Sequence, residues 1–448
     1  MTFRKNFLHC CFVSLLSAGL SVCASSAQAA DRHDLVLYDT KPLPSWHVTL
    51  AGQGWPEREL ANDAVTVLRP ADGQKTDSAV DARRSKVTEG KDERDALTLH
   101  WKDVWYAGLR LGGGAPLDLR PYIAGGTLEF DLNVIELDKG GIYVTMRCGD
   151  DCNRKVPYVR PARALQGKGW QHLSFSMACF ARKEDDFSKV PVPFSLEGTG
   201  TGEVAVANVR LVRQGKPNAD CPDYRTAAVT SATPVHSWSF DWWMPRHEKK
   251  LEEIRKLKEA GKNPQVVFIG DSITQGWEQS GLPVWKRYYE KYDAVDLGFG
   301  GDLTQNVLWR LEHGEVDGLD PKVAVLMIGT NNTGDRQDDP KATAAGVKRI
   351  IAELRQRLPH TKILLLAIFP RDEKPTNFQR RLNERVNGLI SDFADGRNVF
   401  FLDINATLTN PDGTLSKDIM PDLLHPNEKG YEIWASSMEP VLQKLLSE

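Results

Sequence analysis

The sequence predicts two domains of different fold class, an antiparallel β-sandwich followed by a three-layer α/β/α domain with a parallel sheet. Three observations predict this. The chain has 448 residues, more than a single hydrophobic core ordinarily serves. From about residue 35 to 213 it carries short runs of alternating apolar and polar residues, "ALTLHW", "GTLEFDLNV", "GIYVTMRC", "WQHLSFSM" and "VAVANVRLV". Glycines at 112–114, 125–126 and 140–141 separate them, and period-two alternation broken by frequent turns is the pattern of antiparallel strands with one buried face. Beyond residue 236 the runs become continuously apolar, "VVFIG", "VAVLMIG", "ILLLAIF" and "VFFLDI", as parallel strands covered on both faces require.

The first element, residues 1–30, reads as a signal peptide. Arg4 and Lys5 precede an apolar stretch from Phe7 to Cys23, and "ASSAQAA" supplies small residues suited to cleavage near Ala29 or Ala30. A lipoprotein processed at Cys23 is the weaker alternative, because Val22 is bulky for that processing. No later segment has the roughly 20 continuous apolar residues of a spanning helix. An exported protein, periplasmic or secreted, is therefore expected. Without the signal, Cys148, Cys152, Cys179 and Cys221 remain, and an even number in an exported chain favours disulfides. Of three pairings, Cys148–Cys152 with Cys179–Cys221 is preferred, because "CGDDC" can close a tight loop. A zinc site is the competing reading, weakened by the lack of a second close Cys or His pair downstream.

The sandwich is expected over 31–214. Segment 215–236, polar and containing proline, reads as a linker. The α/β domain follows over 237–448, with helical segments at 245–260, around 304–312, 340–357, 377–394 and 427–446. Composition narrows function little. Hydrophobic residues at 41% and charged residues at 26% describe an ordinary globular protein. A net charge of −3 offers no basic field for nucleic acid.

In an open α/β sheet, ligands bind outside the carboxyl ends of the strands. Asp271-Ser272 follow the first strand, Gly300, Gly301 and Asp302 follow the second, Thr330, Asn331 and Asn332 follow the third, and "DLLHP" (422–426) lies after the last. Each residue type suits acyl transfer. Ser272 can attack a carbonyl if a base takes its proton, although Asp, Ser and Thr are favoured helix caps and the tripeptide Gly270-Asp271-Ser272 taken alone reads first as a cap. At a helix start Ser272 also presents its backbone N–H and the positive dipole end to an oxyanion. Gly301 lets its N–H approach the reacting centre, and Asn331 can donate from its side chain; each such donor is typically worth about 3–4 kcal/mol in the transition state. Five histidines lie from residue 236 onward. His313 and His360 belong at the amino end of the sheet, and His236 and His247 precede the first strand. His425 remains as the base, with Asp422 three residues earlier to orient its imidazole.

These residues also carry a resemblance. "GDSIT", "GFGGD", "IGTNN" and "DLLHP" resemble the four blocks of the SGNH (GDSL-type) serine esterases. The stretches "GFGGDLTQNVLWRLEHGEVDGLDPKVAVLMIGTNN" and "FPRDEKPTNFQRRLNERVN" are similar to the platelet-activating-factor acetylhydrolase-like branch. The resemblance spans about 240–446 and implies Ser272 as nucleophile. It implies oxyanion donors at the Ser272 backbone, Gly301 and Asn331, and an acid–base pair at Asp422 and His425. It further implies a narrow acyl pocket at Ile273, Thr330 and Leu424, hence acetate over longer esters, and leaves a homodimer open. "TMRCGDDCNRKVPYVRPARAL", "GWQHLSFSMACFARKEDDFSKVPVPFSL" and "VAVANVRLV", within about 35–213, resemble the galactose-binding-like sandwich appended to some family 3 exo-β-glucanases, which implies a glycan-linked substrate. Trp101, Trp105 and Tyr106 are candidates for stacking on sugar rings, with core packing the favoured reading of each. The resulting expectation is an exported esterase acting on an acetylated carbohydrate, without metal or organic cofactor; a structural Ca²⁺ in the sandwich has no clear ligand signature. A small-ester, lysophospholipid or thioester hydrolase is the alternative of the same class, and an inactive glycan-binding protein the alternative of another.

Overall fold

The computed structural model describes residues 34–447, apart from residues 54, 61–63, 70–77, 90–91, 150–151, 183–184, 222, 224–225 and 335. The expected signal segment, with Cys10, Cys11 and Cys23, lies outside the described residues. From Asp34 onward the chain forms one compact unit.

Ten strands build the first sheet: β1 (Leu35–Tyr38), β2 (His47–Gly52), β3 (Trp55–Glu59), β4 (Thr66–Leu68), β5 (Ala79–Glu89), β6 (Asp92–Gly112), β7 (Thr127–Gly149), β8 (Cys152–Pro157), β9 (Gln171–Ser176) and β10 (Val192–Val212). Two short helices, α1 (Arg120–Ile123) and α2 (Val159–Leu165), interrupt them. The alternating runs of the sequence are pieces of longer strands. "ALTLHW" is six residues of the 21-residue β6. The three longest strands lie side by side in the order β6-β10-β7, and β6 and β7 change partner halfway. β6 pairs with β5 over Asp92–Lys102 and with β2 over Ala107–Gly112; β7 pairs with β9 over Thr127–Leu132 and with β8 from Tyr143. Register shifts between Gly198 and Gly202 of β10 mark the change. Bulged strands bend and twist more strongly, so one hydrogen-bonded network can fold over a core that includes Leu99, Trp101, Phe130 and Phe175. Trp101 is wholly buried.

The cysteines pair as Cys148–Cys152, at the β7–β8 turn, and Cys179–Cys221. The second bond ties the segment after β10 back to the sandwich. That segment, expected as a linker, joins the domains and is held to the second at two points. Ala228 is buried and its carbonyl accepts from Thr304 Oγ1 at 2.8 Å. The Ala232 carbonyl accepts from Asn306 Nδ2 at 2.8 Å. Much of the segment is exposed, as its polar composition predicts, and these two bonds hold it against the second domain as a strap.

The second sheet has five strands: β11 (Val266–Gly270), β12 (Val295–Gly298), β13 (Val323–Met327), β14 (Lys362–Leu366) and β15 (Val399–Leu402). Their order is β12-β11-β13-β14-β15 and every pairing is parallel. The helices are α3 (Trp243–Glu259), α4 (Ser272–Gln275), α5 (Leu282–Tyr288), α6 (Thr304–Glu312), α7 (Thr330–Gly334), α8 (Pro340–Arg357), α9 (Phe378–Ile390) and α10 (Glu428–Ser447). Separate apolar cores cover the two sheet faces, one under α6, α8 and α9, the other under α5 and α10. β11 and β13 are buried at every residue, as their unbroken apolar runs demand. From β11 the chain crosses to β12 on one side, then returns to β13 on the other. That reversal opens a crevice at the carboxyl end of β11.

Candidate active site

Asp271, and not Ser272, caps α4: its carboxylate accepts from the Ile273 N–H at 3.0 Å. Ser272 is thereby the first helical residue, and its hydroxyl is released from capping. Helix α4 has only four residues, so the dipole expected at its start is small and the local N–H group matters more. Ser272 Oγ lies 2.8 Å from His425 Nε2, and His425 Nδ1 lies 2.6 Å from Asp422 Oδ2. Nδ1 donating to Asp422 leaves Nε2 as the acceptor facing the serine. The turn that makes this contact is held by the same carboxylate, whose Oδ1 accepts from the backbone N–H of Leu424 (3.0 Å) and His425 (2.7 Å). Burial alone would raise the Asp422 pKa, but the His425 backbone and side chain outweigh it and lower the value. Its side chain is 57% exposed, so solvent shares the task of stabilising an imidazolium.

β12 and β13 flank β11, so the loops that carry Gly301 and Asn331 follow the two strands on either side of the one that leads to Ser272. Gly301 has φ +72, a left-handed backbone that glycine adopts without strain. A Cβ there would stand 2.2 Å from the indole of Trp238. Gln275 Oε1 anchors the loop through the Gly300 N–H at 2.7 Å. Asn331 Nδ2 donates to the Asp302 carbonyl at 3.0 Å, which uses one of its two hydrogens and sets it against the same loop. Among the described residues, neither the Ser272 nor the Gly301 backbone N–H finds an acceptor.

The three expected acyl-pocket residues are not equivalent. Ile273 and Thr330 are each 1% exposed. Ile273 belongs to the core with Trp277 and Tyr431, and the Thr330 hydroxyl accepts from Arg371 Nη1 at 3.3 Å. Only Leu424 keeps accessible surface. Of the three expected wall residues, Leu424 is thus the accessible one, while Ile273 and Thr330 pack beneath the surface.

Sequence reasoning missed the support beneath the site. Arg310, wholly buried, binds Asp302 Oδ2 at 2.8 Å, pairs with Glu315, and reaches the Gly270 carbonyl at 3.3 Å. Trp243 Nε1 donates to Asp302 Oδ1 at 2.6 Å. One cation between two buried carboxylates fixes the loop between Gly300 and Asp302. The signal was an arginine on the apolar face of α6, within "VLWRLE". Arg371, after β14, donates to the Thr330 carbonyl at 2.9 Å; it lies in the stretch "FPRDEKPTNFQRRLNERVN", which by itself assigns it no role. Of the other histidines, His247 is buried between Trp243 and Trp309, and burial lowers its pKa to about 4. His360 is exposed beside Asp320 at the amino end of the sheet.

Residues 268–433 match the GDSL-like Lipase/Acylhydrolase family, and residues 71–211 match the Galactose-binding domain-like family. Platelet-activating factor acetylhydrolase IB subunit alpha1 of Bos taurus is 34% identical over 222 residues, covering 49% of this chain and 91% of that protein. Two solved structures match one half each. The extra C-terminal domain of an exo-1,3/1,4-beta-glucanase from a Pseudoalteromonas species aligns at 14% identity with a TM-score of 0.32, covering 42% of this chain and 96% of that one. A carbohydrate acetylesterase family member from Sinorhizobium meliloti aligns at 15% identity with a TM-score of 0.33, covering 41% and 99%.

Proposed function

The chain belongs to the GDSL-like lipase/acylhydrolase family and is a carboxylic ester hydrolase, and from that premise we propose that it is an exported serine esterase that removes O-acetyl groups from a carbohydrate. One observation carries the catalytic part: an unbroken hydrogen-bonded line from Ser272 through His425 to Asp422, beside two N–H groups without acceptors. Ser272 Oγ attacks the ester carbonyl carbon while His425 Nε2 takes its proton. The carbonyl electron pair moves onto oxygen, which receives the Ser272 and Gly301 N–H groups and the remaining Asn331 Nδ2–H. Collapse expels the sugar hydroxyl with the proton from His425 and leaves an acyl-serine. Water, deprotonated by His425, attacks that acyl group; acetate departs and the proton returns to Ser272.

The match of residues 71–211 to a galactose-binding-like domain supports a carbohydrate substrate, and the acetylhydrolase relative supports an acetyl group. That relative also favours a second reading, an acetyl ester carried by a phospholipid. Acetate release from O-acetylated polysaccharides, compared with release from an acetylated phospholipid, tests the choice. Dominance of the phospholipid would overturn the carbohydrate reading. Ser272→Ala, which removes the nucleophilic oxygen without adding bulk, should lower kcat on a chromogenic acetate by about six orders of magnitude. A folded Ser272→Ala protein near wild-type activity would overturn the mechanism.

A further inference from the structure

A cavity of about 1020 Å³ lies between the sandwich, the strap and the α/β domain. We propose that it is the binding site of a glycan strand, which it holds across both domains with an acetylated unit at Ser272. The inference rests on the esterase reading above and adds the site that would select the polymer.

Its walls combine flat aromatic faces with hydrogen-bonding edges. Trp105 of β6 is 68% exposed and Trp238 is 49% exposed, and both line this cavity. A tryptophan left in water by the folded chain gains nothing from the core, whereas sugar rings present apolar C–H faces that stack on indole. The backbone is built to present Trp105. Asp103 (φ +49) and Gln53 (φ +46) take left-handed conformations on either side of it. Gln53 Oε1 accepts from the Trp105 N–H at 2.9 Å, and Asp103 is held by Thr201 Oγ1 at 3.0 Å and by Ser78 Oγ at 2.7 Å. This kink adjoins the register shifts of β10, and bulges of this kind re-aim side chains beside functional sites.

The aromatic surface continues to the catalytic loop. His236 stacks on Trp238 with centroids 5.8 Å apart, and Trp238 on Trp242 at 6.0 Å. The Trp238 indole packs directly on Gly301, so one wall of the cavity abuts the oxyanion loop, although neither Ser272, Gly301 nor Asn331 lines it. Gln305 adds a polar side chain to the wall. Asp103, Asp241 and Arg336 in its lining suit the hydroxyl groups of a sugar. The volume is at the upper end of the ~300–1000 Å³ of small-ligand pockets, which fits several rings better than one small ester.

The test uses the full chain with Ser272→Ala, titrated by calorimetry with partially O-acetylated oligosaccharides from xylan and from glucomannan. At least one should bind. Adding Trp105→Ala or Trp238→Ala should raise its Kd about tenfold or more, the loss of one good stacking contact, while Trp105→Phe should stay within about threefold of the parent. Because Trp105 touches mostly solvent, its removal leaves the fold intact, and circular dichroism checks this. Failure of both oligosaccharides to bind at millimolar concentration, or a Kd unmoved by Trp105→Ala, would overturn the proposal. If wild type still cleaved a chromogenic acetate, the esterase reading would stand alone. If wild type cleaved no acetate ester, that reading would fall, and the titrations would still judge the cavity.

Discussion

Ile273 and Leu424 adjoin the nucleophile and its base in sequence, yet their surroundings assign them different work. Ile273→Ala should act on stability. It removes buried atoms from the core beside Trp277 and Tyr431, a change that typically costs about 2–5 kcal/mol, and denaturant unfolding should read it. Leu424→Ala should leave stability nearly unchanged and shift hydrolysis from acetate towards butyrate by several-fold, measured as the ratio of kcat/KM on the two chromogenic esters. A shifted acyl preference in Ile273→Ala at unchanged stability would show that its side chain faces the substrate after all. Asp422→Ala should lose less activity than Ser272→Ala, since the carboxylate orients and stabilises the base without transferring the proton; equal losses would contradict that role. At this scale the residue types were legible in the sequence, because nucleophile, base and oxyanion donors each need particular atoms. Their burial was not, since "DSIT" reads alike whether Ile273 faces ligand or core.

At the scale of the elements, the carboxyl ends of β11 and β12 concentrate buried acids. Burial raises Asp271 to about 6, Asp302 to about 7 despite Arg310, and Asp296 within β12 to about 8. Asp296 Oδ1 accepts from the Gly298 N–H at 2.7 Å, while its Oδ2 has no partner among the described residues. An unfolded aspartate titrates near ~3.9. Between that value and the raised one, the folded protein binds more protons than the unfolded chain, so this contribution to stability falls as pH rises. It is fully present below about pH 4 and lost through about pH 8. Asp296→Asn, which does not titrate, should flatten the fall between pH 5 and 8 relative to wild type, measured by urea unfolding at each pH. An unchanged slope would mean that Asp296 ionises normally. Nothing in "AVDLGFGG" signals this, because an aspartate in an apolar run looks the same at an exposed edge as under two packed helices.

Across the whole molecule, the sandwich holds a loop of the catalytic domain. Arg182 donates to the carbonyls of Arg336 (2.7 Å) and Gln337. The Asn153 N–H and Arg154 Nη1 donate to Gln337 Oε1 at 2.9 and 3.1 Å. Residues 336–337 come two and three positions after the end of α7, the helix that carries Asn331, and Gln337 is itself left-handed at φ +50. Arg182→Ala should therefore destabilise by about 1–3 kcal/mol, the worth of charge-assisted bonds to otherwise unpaired carbonyls. It should also lower kcat on a small chromogenic acetate, a substrate too small to need the sandwich. Unchanged Tm and kcat would mean that the two domains work independently and that the sandwich serves the polymer alone.

The sequence by itself determined the two fold classes, the order of the catalytic blocks and the residue types of the site. Those follow from hydrophobic period and from which atoms can do acyl chemistry, and both are local properties. Only the tertiary structure decided which side chains face the ligand and which the core. Only it revealed that the alternating runs in β6, β7 and β10 belong to strands of 21, 23 and 21 residues, bent at bulges into two layers. It also tied the 215–236 linker to the second domain through the Ala228 and Ala232 carbonyls, and set Trp238 against Gly301. Such facts depend on contacts between residues distant in the chain, whose energies no local pattern encodes.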